Sequence, residues 1–125
     1  MQPAALRVGV FGGAFDPPHL GHVSLAQTAL EQLQLDVLHA IPTDQAWHKA
    51  RSLTASVHRL AMTRLAFEGV ARVQVDSCEI DRSGPSYTVD TLTALRATYP
   101  QARLFLLVGE DQARALPSWH RWQEL

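Results

Sequence analysis

Arg7-Val8-Gly9-Val10-Phe11-Gly12-Gly13-Ala14-Phe15-Asp16-Pro17-Pro18-His19-Leu20-Gly21-His22 is the stretch whose reading decides the fold. Its first six residues form a short apolar run that ends in glycine, the pattern of a buried strand. The Pro17-Pro18 pair turns the chain, and Ala26, Ala29, Leu30 and Leu33 then fall at i, i+3, i+4 and i+7, one face of a helix. The same alternation repeats outward. Val37 to Ile41 reads as a second buried strand stopped by Pro42, and Thr43 to Thr54 is polar without periodicity. Val57, Leu60, Ala61 and Leu65 return to helical spacing, and Arg72 to Val75 reads as a third strand. After a polar turn from Asp81 to Pro85, Val89, Leu92, Leu95 and Tyr99 predict a helix that ends before Pro100. Arg103 to Val108 is the most apolar run and is expected to be a central strand; Gly109 breaks it and Asp111 is placed to cap a short helix. Strands that are apolar throughout, alternating with helices, indicate an α/β fold: a parallel sheet with helices on both faces. Ligands of such sheets bind outside the carboxyl ends of the strands, which directs attention to residues 12–22, 42–54, 76–88 and 109–120.

Composition excludes several classes of function. With 125 residues the chain is of single-domain size, long enough to bury a core without disulfides or metal. Eleven basic residues against twelve acidic ones leave a net charge of −1, so no charge excess is available to bind a nucleic-acid backbone. Cys78 is the only cysteine, which rules out an intrachain disulfide and a cysteine-based zinc site; it reads as a small apolar filler. A membrane span and a signal peptide are not evident, so a cytoplasmic setting is expected, with no nucleic-acid or membrane partner. No repeat or low-complexity tract divides the chain, and residues 1–125 read as a single domain.

The junction between first strand and first helix carries the chemistry. Its glycines at 9, 12 and 13 do not spell the dinucleotide fingerprint, and no lysine follows as a phosphate-binding loop requires. The physics still suits a phosphate. The Gly12-Gly13 pair lets a ligand approach the backbone, and the helix expected to begin near His22 directs free N–H groups and partial positive charge at an anion. His19 and His22 flank that place as hydrogen-bond donors. Two alternatives compete with this reading: half of a metal site, for which no third ligand is evident, and a helix cap beside a surface histidine.

The glycine pair, the Phe-Asp-Pro turn and His19-Leu20-Gly21-His22 together resemble the signature of the nucleotidyltransferases of His-x-Gly-His type. That resemblance implies a Rossmann-like sheet and in-line transfer of a nucleotidyl group with loss of pyrophosphate, both histidines stabilising charge. Three further segments are similar in order and spacing to the bacterial nicotinate mononucleotide adenylyltransferases: Ser86-Tyr87-Thr88, Gly109-Glu110-Asp111 and Pro117-Ser118-Trp119. Singly, each reads equally well as a cap, a turn or a core aromatic. The resemblance implies that Gly12, Gly13, Phe15, His19, His22, Gly109 and Asp111 contact ATP. It implies that Asp16, Lys49, Ser86, Tyr87, Thr88 and Trp119 contact the mononucleotide, Thr88 at the nicotinate carboxylate and Trp119 stacked on the ring. His19, His22 and Lys49, the only lysine, would act on the phosphates, with Mg²⁺ as cofactor to ATP. The expected activity is adenylyl transfer from ATP to nicotinate mononucleotide in NAD biosynthesis, by a monomer or homodimer.

Two departures stand against the family pattern. Ala14 replaces the usual Thr or Ser after the glycines, and the Ile-Ser-x-Thr-x-x-Arg segment that cradles the triphosphate does not occur. The chain is therefore expected to be a domain truncated at its C-terminus. The alternatives to the full activity are a nucleotide-binding fragment with little turnover and a related enzyme, pantetheine-phosphate adenylyltransferase, against which His19 argues. Cytidylyltransferases share His-x-Gly-His, without an account of the Ser-Tyr-Thr and Pro-x-Trp segments.

Overall fold

A computed structural model describes residues 6–13, 15, 17–43, 55–81 and 88–108, together with Pro117 and Gln123. In order, the elements are β1 (Arg7–Gly13), α1 (Leu20–Gln32), β2 (Val37–Pro42), α2 (Ser56–Ala66), β3 (Val73–Val75), α3 (Cys78–Asp81), α4 (Thr88–Thr98) and β4 (Arg103–Leu107). The strands form one parallel sheet of order β3-β2-β1-β4. Val8 pairs with Val37 and Gly13 with Pro42 on one side of β1; Arg7 pairs with Arg103 and Phe11 with Leu107 on the other.

Alternation along the strands builds two apolar layers. Phe11, Leu38, Ala40 and Leu107 point to one layer, where Ala26, Ala29 and Leu30 of α1 and Phe67 after α2 cover them. Val10 and Ile41 point to the other, covered by Leu95 of α4 with Leu92, Tyr99 and Cys78. The placement follows from handedness. Right-handed crossovers that step from β1 to β2 to β3 put their helices on one face; the step back across the sheet to β4 puts α4 on the opposite face.

The periodic reading holds for all four strands and for the helices over 20–32, 56–66 and 88–98, and it fails in three places. The run Arg103 to Val108, expected at the centre, is the β4 edge of this four-stranded sheet. Of that run only Leu107 is buried; the crossovers set the order, and β1 with its glycines is flanked on both sides. The buried face of α2 is also different. Arg59 and Thr63 point inward at 1% and 0% exposure, whereas Val57 and Leu65 are 66% and 70% exposed. The Arg59 guanidinium donates to the Thr43 carbonyl and to Ser56 Oγ (3.2 Å), and Thr63 Oγ1 donates to the Arg59 carbonyl at 2.7 Å. Polar groups with partners thus displaced apolar side chains that the spacing had assigned to the core. Finally, α3 is a helical turn where the sequence read only the approach to a loop.

Gly9 has a packing reason of its own: a Cβ there would stand 2.6 Å from Leu35 Cδ1. At the sheet's N-terminal edge, Arg7 Nε donates to the Leu33 carbonyl (2.7 Å) and Arg72 to that of Leu35 (2.9 Å), capping the end of α1.

Candidate functional site

The chain leaves β1 toward β2 on one side and returns to β4 on the other, so the order reverses beside β1. The crevice outside the carboxyl ends of β1 and β4 is the switch point where open α/β sheets bind ligands. Gly12 and Gly13 end β1 there. A Cβ on Gly12 would come no closer than 3.9 Å to the Ile41 carbonyl, and one on Gly13 no closer than 3.6 Å to Phe15. Among the described residues, protein packing does not require either glycine, so the open backbone is available to a ligand.

Helix α1 starts at Leu20, two residues before the expected position near His22, with His19 as its N-cap in extended conformation. The cap is reciprocal: the Gly21 N–H donates to His19 Nδ1 at 3.1 Å, and the His19 N–H donates to His22 Nδ1 at 3.0 Å. The two rings stack with centroids 3.9 Å apart and planes at 28°. The cap half of the alternative raised by the sequence is correct, since His19 is the N-cap, while His22 is half-buried against Phe15 and is not a surface residue. A backbone N–H is always a donor, so each Nδ1 must be an acceptor, and each neutral ring carries its proton on Nε2. The fold thus fixes the tautomer of both rings, with the N–H of each on Nε2. It also corrects the sequence reading, because two of the N–H groups at this helix start are already occupied by imidazoles. The first turn of α1 itself holds no acidic residue to offset the positive end of the helix dipole.

Gly21 makes the arrangement possible. A Cβ there would meet His19 Cε1 at 2.8 Å and Nδ1 at 2.9 Å, closer than real contacts. Phe15 supports the second histidine: its ring meets His22 edge-on at 5.0 Å, Phe11 at 5.4 Å and Phe67 at 6.2 Å. Phe15 is 2% exposed and sits at φ 47°, a left-handed backbone that a bulky residue holds only when its surroundings enforce it. Phe15 therefore acts here as a buried wedge under His22.

The Thr43 N–H donates to the Gly13 carbonyl at 2.9 Å, tying the chain after β2 to the same edge. Thr88, half-buried, opens α4 on the opposite face of the sheet. Asp16, Lys49, Ser86, Tyr87, Gly109, Asp111 and Trp119 lie outside the described residues, as does Ala14. Sequence reasoning missed three buried polar groups near this edge. Arg59 holds the Thr43 carbonyl; Glu79 accepts from Thr91; and His39 has Nε2 3.1 Å from Tyr99 Oη, with Nδ1 3.3 Å from Asp76 Oδ2 but not aligned as a hydrogen bond. Only His39 gave a signal in the sequence, as a polar residue inside an expected buried strand. Among the described residues, no group of three or more His, Cys, Asp or Glu side chains is arranged to hold a metal ion.

A parallel sheet with its glycine turn and paired histidines at the switch point defines an α/β domain of nucleotidyltransferase type. The chain belongs to the cytidylyltransferase-like family, whose model matches residues 10–125. It is 59% identical over 119 residues to a protein of Albidiferax ferrireducens named probable nicotinate-nucleotide adenylyltransferase, covering 95% of this chain and 60% of that protein. A protein of the same name from Gemmatimonas aurantiaca is 52% identical over 115 residues, 92% of this chain and 54% of its own length. The chain thus spans little more than half the length of the curated relatives it matches. In fold it is similar to Plasmodium falciparum nicotinic acid mononucleotide adenylyltransferase complexed with NaAD, at TM-score 0.83 and 18% identity over 95% of this chain and 59% of that one. No helix among the described residues is long and apolar enough to cross a membrane.

Proposed function

We propose that the chain transfers the adenylyl group of ATP to nicotinate mononucleotide, forming nicotinate adenine dinucleotide and pyrophosphate in a cytoplasmic setting. The observation that carries this reading is the reciprocal cap, which holds two imidazoles with Nε2–H donors beside Gly12 and Gly13 at the switch point. The names of the relatives supply the substrate class. A phosphate oxygen of the mononucleotide attacks the α-phosphorus of ATP, the bond to the bridging oxygen breaks, and pyrophosphate leaves with the electron pair. No general base is needed, because a phosphate monoester with a second pKa of about 6 is already ionised at pH 7. His19 and His22 donate from Nε2 to the charge that builds on the phosphate oxygens, the kind of preorganised donor that lowers such barriers most.

The remaining assignments follow the family. Gly12, Gly13, Phe15, Gly109 and Asp111 serve ATP, with Phe15 acting through His22, and Lys49 assists at the phosphates. Asp16, Ser86, Tyr87, Thr88 and Trp119 serve the mononucleotide. Mg²⁺ would enter as the ATP complex and offset charge on the triphosphate. A second reading is a domain that binds nucleotide but turns over slowly. Pyrophosphate release with ATP, Mg²⁺ and nicotinate mononucleotide, beside calorimetric binding of each nucleotide, separates the two. Turnover lost in His19→Ala and His22→Ala supports the enzyme; binding without turnover leaves the second reading; failure to bind either nucleotide rejects both.

A further inference from the structure

Helices α3 and α4 meet through a buried polar contact. Glu79 is 8% exposed and Thr91 1%, and Thr91 Oγ1 donates to Glu79 Oε2 at 2.6 Å, the length of a hydroxyl–carboxylate bond. Removing a carboxylate from water is costly, and an apolar pair of similar volume would pack α4 at least as stably. What a polar pair supplies beyond adhesion is direction, since a hydrogen bond fixes both distance and angle.

Both ends of that contact are anchored to places that matter for the site. The Asp76 N–H donates to the Ala40 carbonyl at 2.8 Å, fastening the chain to β2 just beyond β3. Asp76 Oδ1 accepts from the Cys78 N–H (2.9 Å), and Ser77 Oγ donates to Asp81 Oδ2 (2.6 Å), so α3 is held at its start and closed along its length. On the other helix Thr91 lies three residues after Thr88, the first residue of α4, and residues at i and i+3 share a helix face. The Glu79–Thr91 bond therefore sets the rotation and height of the turn that begins with Thr88.

We propose that Glu79 is a positioning residue that acts through Thr91 to place Thr88 for the mononucleotide, without itself touching substrate. This rests on the adenylyltransferase reading, in which Thr88 meets the nicotinate carboxylate. The test is calorimetric titration of the protein with nicotinate mononucleotide and, separately, with ATP, for wild type, Thr91→Val, Thr91→Ser and Glu79→Ala. Thr91→Val and Glu79→Ala are expected to weaken mononucleotide binding by about tenfold, the equivalent of one hydrogen bond to a charged group, while ATP affinity stays within about twofold. Thr91→Ser, which keeps the hydroxyl, retains mononucleotide affinity. Should Thr91→Val not fold by circular dichroism, Thr91→Ala takes its place and leaves room for water at Glu79. Unchanged mononucleotide affinity in a folded Thr91 variant overturns the proposal, as does an equal loss for both nucleotides. No mononucleotide binding by the wild type rejects the adenylyltransferase reading itself, and the brace with it.

Discussion

Substituting Gly21 by alanine sets two well-understood effects against each other. On propensity alone Ala is favoured over Gly in a helix by up to about 1 kcal/mol. The new Cβ, however, would lie 2.8 Å from His19 Cε1, and ordinary contact begins near 3.4 Å, so the imidazole must retreat by about 0.6 Å. The Gly21 N–H to Nδ1 distance starts at 3.1 Å, and that retreat takes it past the limit of a hydrogen bond. A lost N-cap costs about 1 kcal/mol. Gain and loss nearly cancel, so the midpoint of urea unfolding should move little. The catalytic consequence does not cancel: the ring loses the partner that fixes its tautomer and shifts by a fraction of an ångström. Misplacement on that scale costs about 10- to 100-fold in kcat/KM. Unfolding and pyrophosphate-release assays on Gly21→Ala, compared with wild type, decide the matter. An alanine variant of unchanged stability and full activity would refute the claim that the cap places His19.

Other substitutions probe the supports. Gly9→Ala is expected to destabilise by about 1–3 kcal/mol in urea, because its Cβ meets the fully buried Leu35 at 2.6 Å; a neutral result would mean that Leu35 has room to move. Arg59→Met leaves the Thr43 carbonyl without this donor and should cost about 1–3 kcal/mol, read by the same melt. Tyr99→Phe removes the hydroxyl beside His39 Nε2 and should cost about 1 kcal/mol while ATP affinity stays at the wild-type value. Trp119→Ala, in the proposed site, should raise the KM for nicotinate mononucleotide more than that for ATP, and an unchanged mononucleotide KM would remove Trp119 from it.

Much of this was legible in the chain because it depends on local rules. The glycine-ended strand, the proline turn and the i, i+3, i+4 spacing of Ala26, Ala29 and Leu30 led directly to β1, α1 and a parallel sheet. The glycine turn of the candidate site lies where the strand order reverses, as expected from the alternation of strands and helices. What could not be read depends on contacts between distant residues. Arg59 faces inward because a carbonyl 16 residues away accepts from it, and no spacing rule encodes that partner. Glu79 in α3 looked like part of a polar approach to a turn until Thr91 met it from α4. The histidines were found as a motif, but their order as cap and N3 residue, and hence the tautomer, required the backbone geometry.

The proposed activity places phosphorus chemistry at the His19–His22 cap, joining two nucleotides. Phosphorus-31 NMR of ATP, Mg²⁺ and nicotinate mononucleotide with the protein observes it directly. A dinucleotide diphosphate resonance is expected to grow in equal proportion to pyrophosphate and to be lost in His22→Ala. Release of orthophosphate and ADP in its place, or an unchanged spectrum while both nucleotides are bound, would contradict adenylyl transfer by this chain.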